Sequence, residues 1–133
     1  MIVVDTNLIV YLFLESIGKE QAERVRAFDP EWVAPLLWRS EFRNVLVIYM
    51  RRAILLPGQA LVIAKNSELM MQGKEYPVSS EHVLRLAAGS RCSSYDCEFV
   101  ALAQELGVKL VTADKRVVSE FPETAIALDT FGV

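Results

Sequence analysis

At 133 residues with a net charge of −3, the chain is long enough for one well-cored domain over 1–133 and lacks the basic balance of a general nucleic-acid binder. Hydrophobic residues make up 53%, so apolar surface is left over for a second copy or another partner to cover, and a homodimer is expected. The longest apolar run, Leu8 to Leu14, falls far short of the roughly 20 residues a bilayer needs and follows no basic segment, so a cytoplasmic protein without signal peptide or membrane contact is expected. Cys92 and Cys97 have no Cys-x-x-Cys spacing and read as reduced packing residues. His82 is the single histidine, which excludes zinc sites built on two imidazoles and weakens a Ser-His-Asp reading.

In chain order, Met1 to Asp5 reads as a short buried strand, continuous and β-branched as parallel strands tend to be. Thr6-Asn7 turns into an apolar helix to about Leu14, and an amphipathic helix spans Lys19 to Phe28, stopped by Asp29-Pro30. Trp32 to Ala34 is a strand. A long helix is expected from Pro35 to about Arg52, with Phe42, Val45, Leu46 and Tyr49 as its core stripe and Glu41 and Asn44 on the border of that stripe. The next helix follows Pro57-Gly58, with Leu61, Ala64, Leu69 and Met70 as its buried side. Ser79 or Ser80 caps a helix to Gly89, and Ser93-Ser94 cap another that ends at Gly107. Lys109 to Thr112 is a strand, Asp114 to Phe121 a short helix closed by Pro122, and Ala125 to Leu128 a last strand. Strands alternating with helices predict an α/β fold: a three-layer sandwich with a small central parallel sheet flanked by helices.

Four acids interrupt or border apolar runs in this pattern: Asp5, Glu41, Asp96 and Asp114. Gathering carboxylates in partly apolar surroundings is costly unless a cation neutralises them. In open parallel sheets the ligand crevice lies beyond the carboxyl ends of strands, where Asp5 and Asp114 both stand. An oxygen-only ligand set suits magnesium or manganese, and such ions activate water and stabilise charge on an attacked phosphodiester.

The motifs that hold these acids carry a resemblance. Val3-Val4-Asp5-Thr6-Asn7, Ser40-Glu41-x-x-Asn44-Val45, Ser94-Tyr95-Asp96-x-x-Phe99-Val100-Ala101-Leu102-Ala103 and Leu110-Val111-Thr112-Ala113-Asp114 occur in the order found in PIN-domain ribonucleases. Within that family the chain resembles the VapC-type toxins of type II toxin–antitoxin systems. Residues 52 to 78 match only as helical filler. The resemblance implies that Asp5, Glu41, Asp96 and Asp114 are catalytic and bind Mg2+ or Mn2+, with Thr6, Asn7, Asn44 and Thr112 orienting them. It further implies hydrolysis of RNA to a 5′-phosphate and a 3′-hydroxyl, with tRNA or rRNA as substrate and a cognate antitoxin protein over the cleft. Lys115 and Arg116, directly after Asp114, are candidate contacts to RNA phosphates.

Each residue also has a plainer reading. Asp5 and Asp114 would serve as helix N-caps, Asp96 would complement a helix dipole, and Glu41 would be a solvated helix residue. Trp32 and Trp38 read as buried anchors, with base stacking at the cleft as the alternative. Arg39 is given no catalytic role. Two other functions remain open: a phospho-accepting receiver-like module, which would want paired acids after the first strand and a lysine after a late one, and a non-catalytic PIN scaffold.

Overall fold

The computed structural model describes residues 1–133 and contains five strands and seven helices. In chain order they are β1 (Ile2–Val4), α1 (Thr6–Phe13), α2 (Lys19–Phe28), β2 (Trp32–Pro35), α3 (Leu37–Arg51), α4 (Pro57–Met71), β3 (Glu75–Tyr76), α5 (Ser80–Ala88), α6 (Ser94–Leu106), β4 (Leu110–Thr112), α7 (Lys115–Glu120) and β5 (Ala125–Ala127). The strands form one sheet in the order β3-β2-β1-β4-β5, and every pairing is parallel. Val3 lies opposite Val33 on one side and Leu110 on the other. All residues of β1, β2 and β4 are buried, which explains their unbroken apolar runs: a sheet flanked by helices has no wet face to mark by alternation.

The strand order fixes where a ligand can sit. From β1 the chain builds outward through β2 and β3, then returns to the opposite side of β1 to lay down β4 and β5. The connections therefore diverge at the carboxyl ends of β1 and β4, which opens a crevice there. Asp5 follows β1 directly, and Asp114 stands two residues beyond the end of β4.

Three expectations need correcting. Pro35 does not open the long helix; it ends β2, paired with Tyr76, and α3 begins at Leu37. A proline is acceptable where a strand closes and its missing N–H is not required. The two-residue strand β3 went unread because Glu75-Tyr76 has no pattern of its own; its pairing with β2 defines it. In α4, Ala64 and Met70 pack half-buried against the core as expected, but Leu61 and Leu69 are 70% and 67% exposed, and the fully buried residues are Ala60, Ser67 and Met71. Small side chains let α4 lie close on the rest of the molecule. Ser67 is buried because its hydroxyl donates to the Ala64 carbonyl at 2.9 Å, a satisfied polar group that an apolar count overlooks.

Local chemistry agrees with the remaining boundaries. Ser79 and Ser93 cap α5 and α6, accepting from the His82 and Asp96 amides. Gly107 closes α6 at φ +66°, in the left-handed region that glycine enters without strain. Arg39 forms a fork on Glu75, with Nε at 2.6 Å and an NH2 group at 2.8 Å, and also reaches Glu68 at 3.2 Å. Trp38 donates its indole N–H to the same Glu75 at 2.8 Å. Arg39 thus ties the start of α3 to β3 and α4, a structural role two residues before Glu41.

Candidate active site and metal centre

Asp5 joins the two turns that flank the crevice. One carboxylate oxygen accepts from the Leu8 amide at 3.2 Å and caps α1. The other accepts from the Ala113 amide at 3.0 Å and from the Thr112 hydroxyl. That hydroxyl in turn accepts from the Asp114 amide at 3.0 Å, so its donated proton is committed to Asp5. Asp114 caps α7, its Oδ1 accepting from the Arg116 and Val117 amides at 2.8 and 3.3 Å. Glu41, on α3, accepts from the Thr6 hydroxyl at 2.6 Å. Asp96 lies in the first turn of α6.

These four acids line one cleft of about 290 Å³, together with Thr6, Asn7, Asn44 and Thr112. All eight residues expected at the site therefore meet in one place. Thr6 orients Glu41 and Thr112 orients Asp5, while Asn7 and Asn44 line the wall. The plain cap readings of Asp5 and Asp114 hold as well, alongside the placement in the cleft.

None of the four carboxylates pairs with a lysine or arginine, and no cationic side chain lines the cleft. Burial pushes the Asp5 carboxyl up to about 6, against the pull of the hydrogen bonds from Thr112, Ala113 and Leu8. The Glu41 carboxyl is raised too, by burial first and then by the negative charge of Asp96, while the Thr6 hydrogen bond lowers it. Desolvation rather than mutual repulsion is the larger cause in both. Uncompensated carboxylates in a partly dry cleft are what a divalent cation would neutralise. No three Asp, Glu, His or Cys side chains are drawn together tightly enough to hold an ion by themselves. An oxygen-only donor set, with hydroxyl and amide groups beside the carboxylates, suits a hard cation that keeps much of its own water, as magnesium does. Cys97, the sequence neighbour of Asp96, is fully buried and absent from the cleft wall, so the ligand set stays oxygen-only.

The other candidates lie elsewhere. Lys115 lines a second pocket that adjoins the cleft through Thr112 and Asp114, and Arg116 is exposed on α7; neither lines the acidic cleft itself. Trp32 and Trp38 are 1% and 0% exposed, so neither can stack a base. His82 bridges Gln104 and Glu105 at 2.8 and 3.1 Å, outside the cleft. Two residues near the site escaped the sequence reading. Glu98, on α6, has its carboxyl raised by burial and by the charge of Glu41. Tyr11, on α1, has its hydroxyl raised by burial and by the charge of Asp5. Neither carries a signal in the sequence: Tyr11 stands in an apolar run and Glu98 among ordinary helix residues.

The PIN domain family matches residues 2–125. Ribonuclease VapC3 of Pyrobaculum aerophilum is 31% identical over 126 residues, spanning 91% of this chain and 95% of that protein. Among solved structures, FitAcB from Neisseria gonorrhoeae matches with a TM-score of 0.76 at 14% identity, over 98% of this chain and 100% of that one. PAE2754 from Pyrobaculum aerophilum matches with a TM-score of 0.70 at 19% identity, over 96% of this chain and 90% of that one. At those identities the two structures speak for the fold alone: a central parallel sheet flanked by helices. The extent of the family match and the VapC3 identity set aside the receiver-like reading, and the chain belongs to the PIN-domain family.

Proposed function

We propose that this protein is a divalent-metal-dependent endoribonuclease and the toxin of a toxin–antitoxin pair. The reading rests on one observation above all: four carboxylates from β1–α1, α3, α6 and β4–α7 line one cleft with no protein cation among them. The identity with a protein named Ribonuclease VapC3 supports RNA as the substrate, and the resemblance of the sequence motifs to toxins of toxin–antitoxin pairs supports a cognate antitoxin as the partner.

Asp5, Glu41, Asp96 and Asp114 would hold Mg2+ or Mn2+. When bound, such ions supply an activated water and neutralise charge on the attacked phosphodiester. The protein's own share is positional. Thr112 and the Ala113 amide fix the Asp5 carboxylate, Thr6 fixes Glu41, and the α7 amides fix one oxygen of Asp114. Asn7 and Asn44 offer amide groups to ligand waters or to the substrate. Lys115 and Arg116, directly after Asp114 and outside the acidic cleft, would be contacts to RNA phosphates.

The substrate would be structured cellular RNA such as tRNA or rRNA, and the chain would act as one domain over 1–133, cytoplasmic and homodimeric. No helix is long and apolar enough to cross a membrane. The exposed Leu61, Val62 and Leu69 of α4 support a dimer contact there. The test is cleavage of labelled RNA with magnesium, with manganese and with excess EDTA. Cleavage that EDTA abolishes and either ion restores is expected. Undiminished cleavage in chelator would sink the metal dependence, and no cleavage under any condition would favour the non-catalytic scaffold.

A further inference from the structure

Next to the acidic cleft is a second pocket of about 300 Å³, and the two have Thr112 and Asp114 in common. Half of its lining residues are hydrophobic, against a third in the acidic cleft. Tyr11 contributes an aromatic wall. The Gly18 backbone lies directly on that ring: a Cβ at Gly18 would collide with it. A glycine there lets the loop before α2 lie against the ring and hold it in place, leaving the rest of the ring to line the pocket. The polar members of the pocket are exposed Gln21, Lys115 and Asp129, beside Asp114.

We propose that this pocket takes the base of a nucleotide flanking the scissile phosphate, and that it favours a base bearing an amino group over uracil. The inference rests on the ribonuclease reading above and adds a base preference to it. An RNA strand whose phosphate lies over the four acids has to leave along an adjoining wall, and this pocket shares that wall. A phosphate would be a poor occupant, because it would meet the carboxylates of Asp114 and Asp129 against the single ammonium of Lys115. A base brings no net charge and a π-face that suits the Tyr11 ring. Asp129 can only accept hydrogen bonds, so it matches the amino groups of adenine, cytosine or guanine. Uracil has no amino group: its one N–H at that edge is flanked by two carbonyl oxygens, whose lone pairs would be set against the Asp129 carboxylate. Gln21 can donate to the ring nitrogen or carbonyl beside such an amino group.

The test uses the full chain and a pool of single-stranded RNA of random sequence, with cleavage ends read by sequencing. Wild type is compared with Asp129→Asn and Gln21→Ala, both at exposed positions with no side-chain hydrogen bond into the fold. Expected is discrimination of about tenfold against uracil at one position beside the cut, the scale of a good paired contact to a base edge. Asp129→Asn should level that position and leave every other position as in wild type. No preference beside the cut, or a preference that both variants preserve, would overturn the proposal. A second arm measures fluorescence anisotropy of short labelled oligocytidine and oligouridine in EDTA, where no cleavage is needed. Tighter binding of oligocytidine by about tenfold, levelled by Asp129→Asn, supports the pocket even if wild type cuts no RNA, a result that would sink only the ribonuclease reading. Equal affinity for the two oligonucleotides overturns the pocket assignment whether or not wild type cleaves.

Discussion

Asp5 makes the metal-free protein sensitive to pH in an unusual direction. Its carboxyl titrates near 6 in the fold against an ordinary 3.8, and a difference of that size is worth at most about 3 kcal/mol. Asp5 keeps some contact with solvent, so roughly half of that is the working figure. Between those two values the folded chain binds the proton that the unfolded chain has released. Stability therefore falls as pH rises from about 4 through 6 and is flat above. The raised Glu41 carboxyl acts in the same sense. Glu75 and Glu120, held below the usual range by Arg39 and Arg91, act in the opposite sense, but only as pH falls through the ordinary carboxylate range. Comparing pH 5 with pH 7.5 isolates the raised carboxyls, Asp5 and Glu41 together with Glu98, which is also raised by burial. About half of the working figure is already lost at pH 5, so in EDTA the melting temperature should be higher at pH 5 than at pH 7.5 by about 2–4 °C, at roughly 3–6 °C per kcal/mol for a chain of this size. Magnesium binds the charged form and should reverse the order, adding about 2.7 kcal/mol at a hundredfold excess over its dissociation constant. Asp5→Asn should flatten both the pH slope and the magnesium response. A metal-free melting temperature that rises from pH 5 to pH 7.5, or a magnesium response as large in Asp5→Asn as in wild type, would refute the reasoning.

Asp5→Asn and Asp96→Asn should each abolish cleavage of labelled RNA with far-ultraviolet circular dichroism unchanged. Glu81→Gln and Glu123→Gln, both exposed and outside the cleft, should cleave as wild type does. Arg39→Ala should cost about 1–2 kcal/mol in urea unfolding, because Glu75 and Trp38 lose their shared partner; Arg39→Lys should recover only part, since an ammonium cannot form the fork. Light scattering should report a homodimer that the paired substitutions Leu61→Glu and Leu69→Glu convert to a folded monomer; a monomeric wild type at high micromolar concentration would count against the α4 contact.

What could be read from the sequence divides by how local the cause is. The bounds of α2, the caps Ser79 and Ser93 and the stop at Gly107 were legible because each depends on a few neighbouring residues. So were β1 and β4, whose continuous apolar runs reflect burial on both faces. Strand β3 was not, because two residues become a strand only through a partner some forty positions earlier. The buried face of α4 was legible at Ala64 and Met70 but not at Leu61 and Leu69, because the helix turns Ala60, Ser67 and Met71 to the core instead. In the acidic cleft, Asp5 and Asp114 were legible from their place after strands, Asp96 from its place at a helix start and Glu41 from the border of the α3 stripe, whereas Thr6, Asn7, Asn44 and Thr112 were legible only through the family resemblance. Tyr11 and Glu98 were not: their nearness to Asp5 and Glu41 follows from how α1 and α6 rotate against the sheet, which no spacing encodes.

Asp114 shows that a helix cap and a metal ligand need not be competing explanations. Its Oδ1 takes both α7 amides, and the carboxylate lines the cleft. Capping thus fixes one oxygen and leaves the other for a cation. The two duties separate by substitution. Asparagine caps helices about as well as aspartate, so Asp114→Asn should unfold within about 0.5 kcal/mol of wild type in EDTA. Asp114→Ala loses the cap and should be less stable by about 1 kcal/mol. Yet both remove the charge, so both should lose cleavage and most of the magnesium-induced stabilisation. Urea unfolding in EDTA, melting with and without magnesium, and RNA cleavage on the three proteins measure the duties independently. An asparagine variant that still cleaves would reduce Asp114 to a cap. One as unstable as the alanine variant would mean that the negative charge at the start of α7, rather than the capping hydrogen bonds, stabilises this turn.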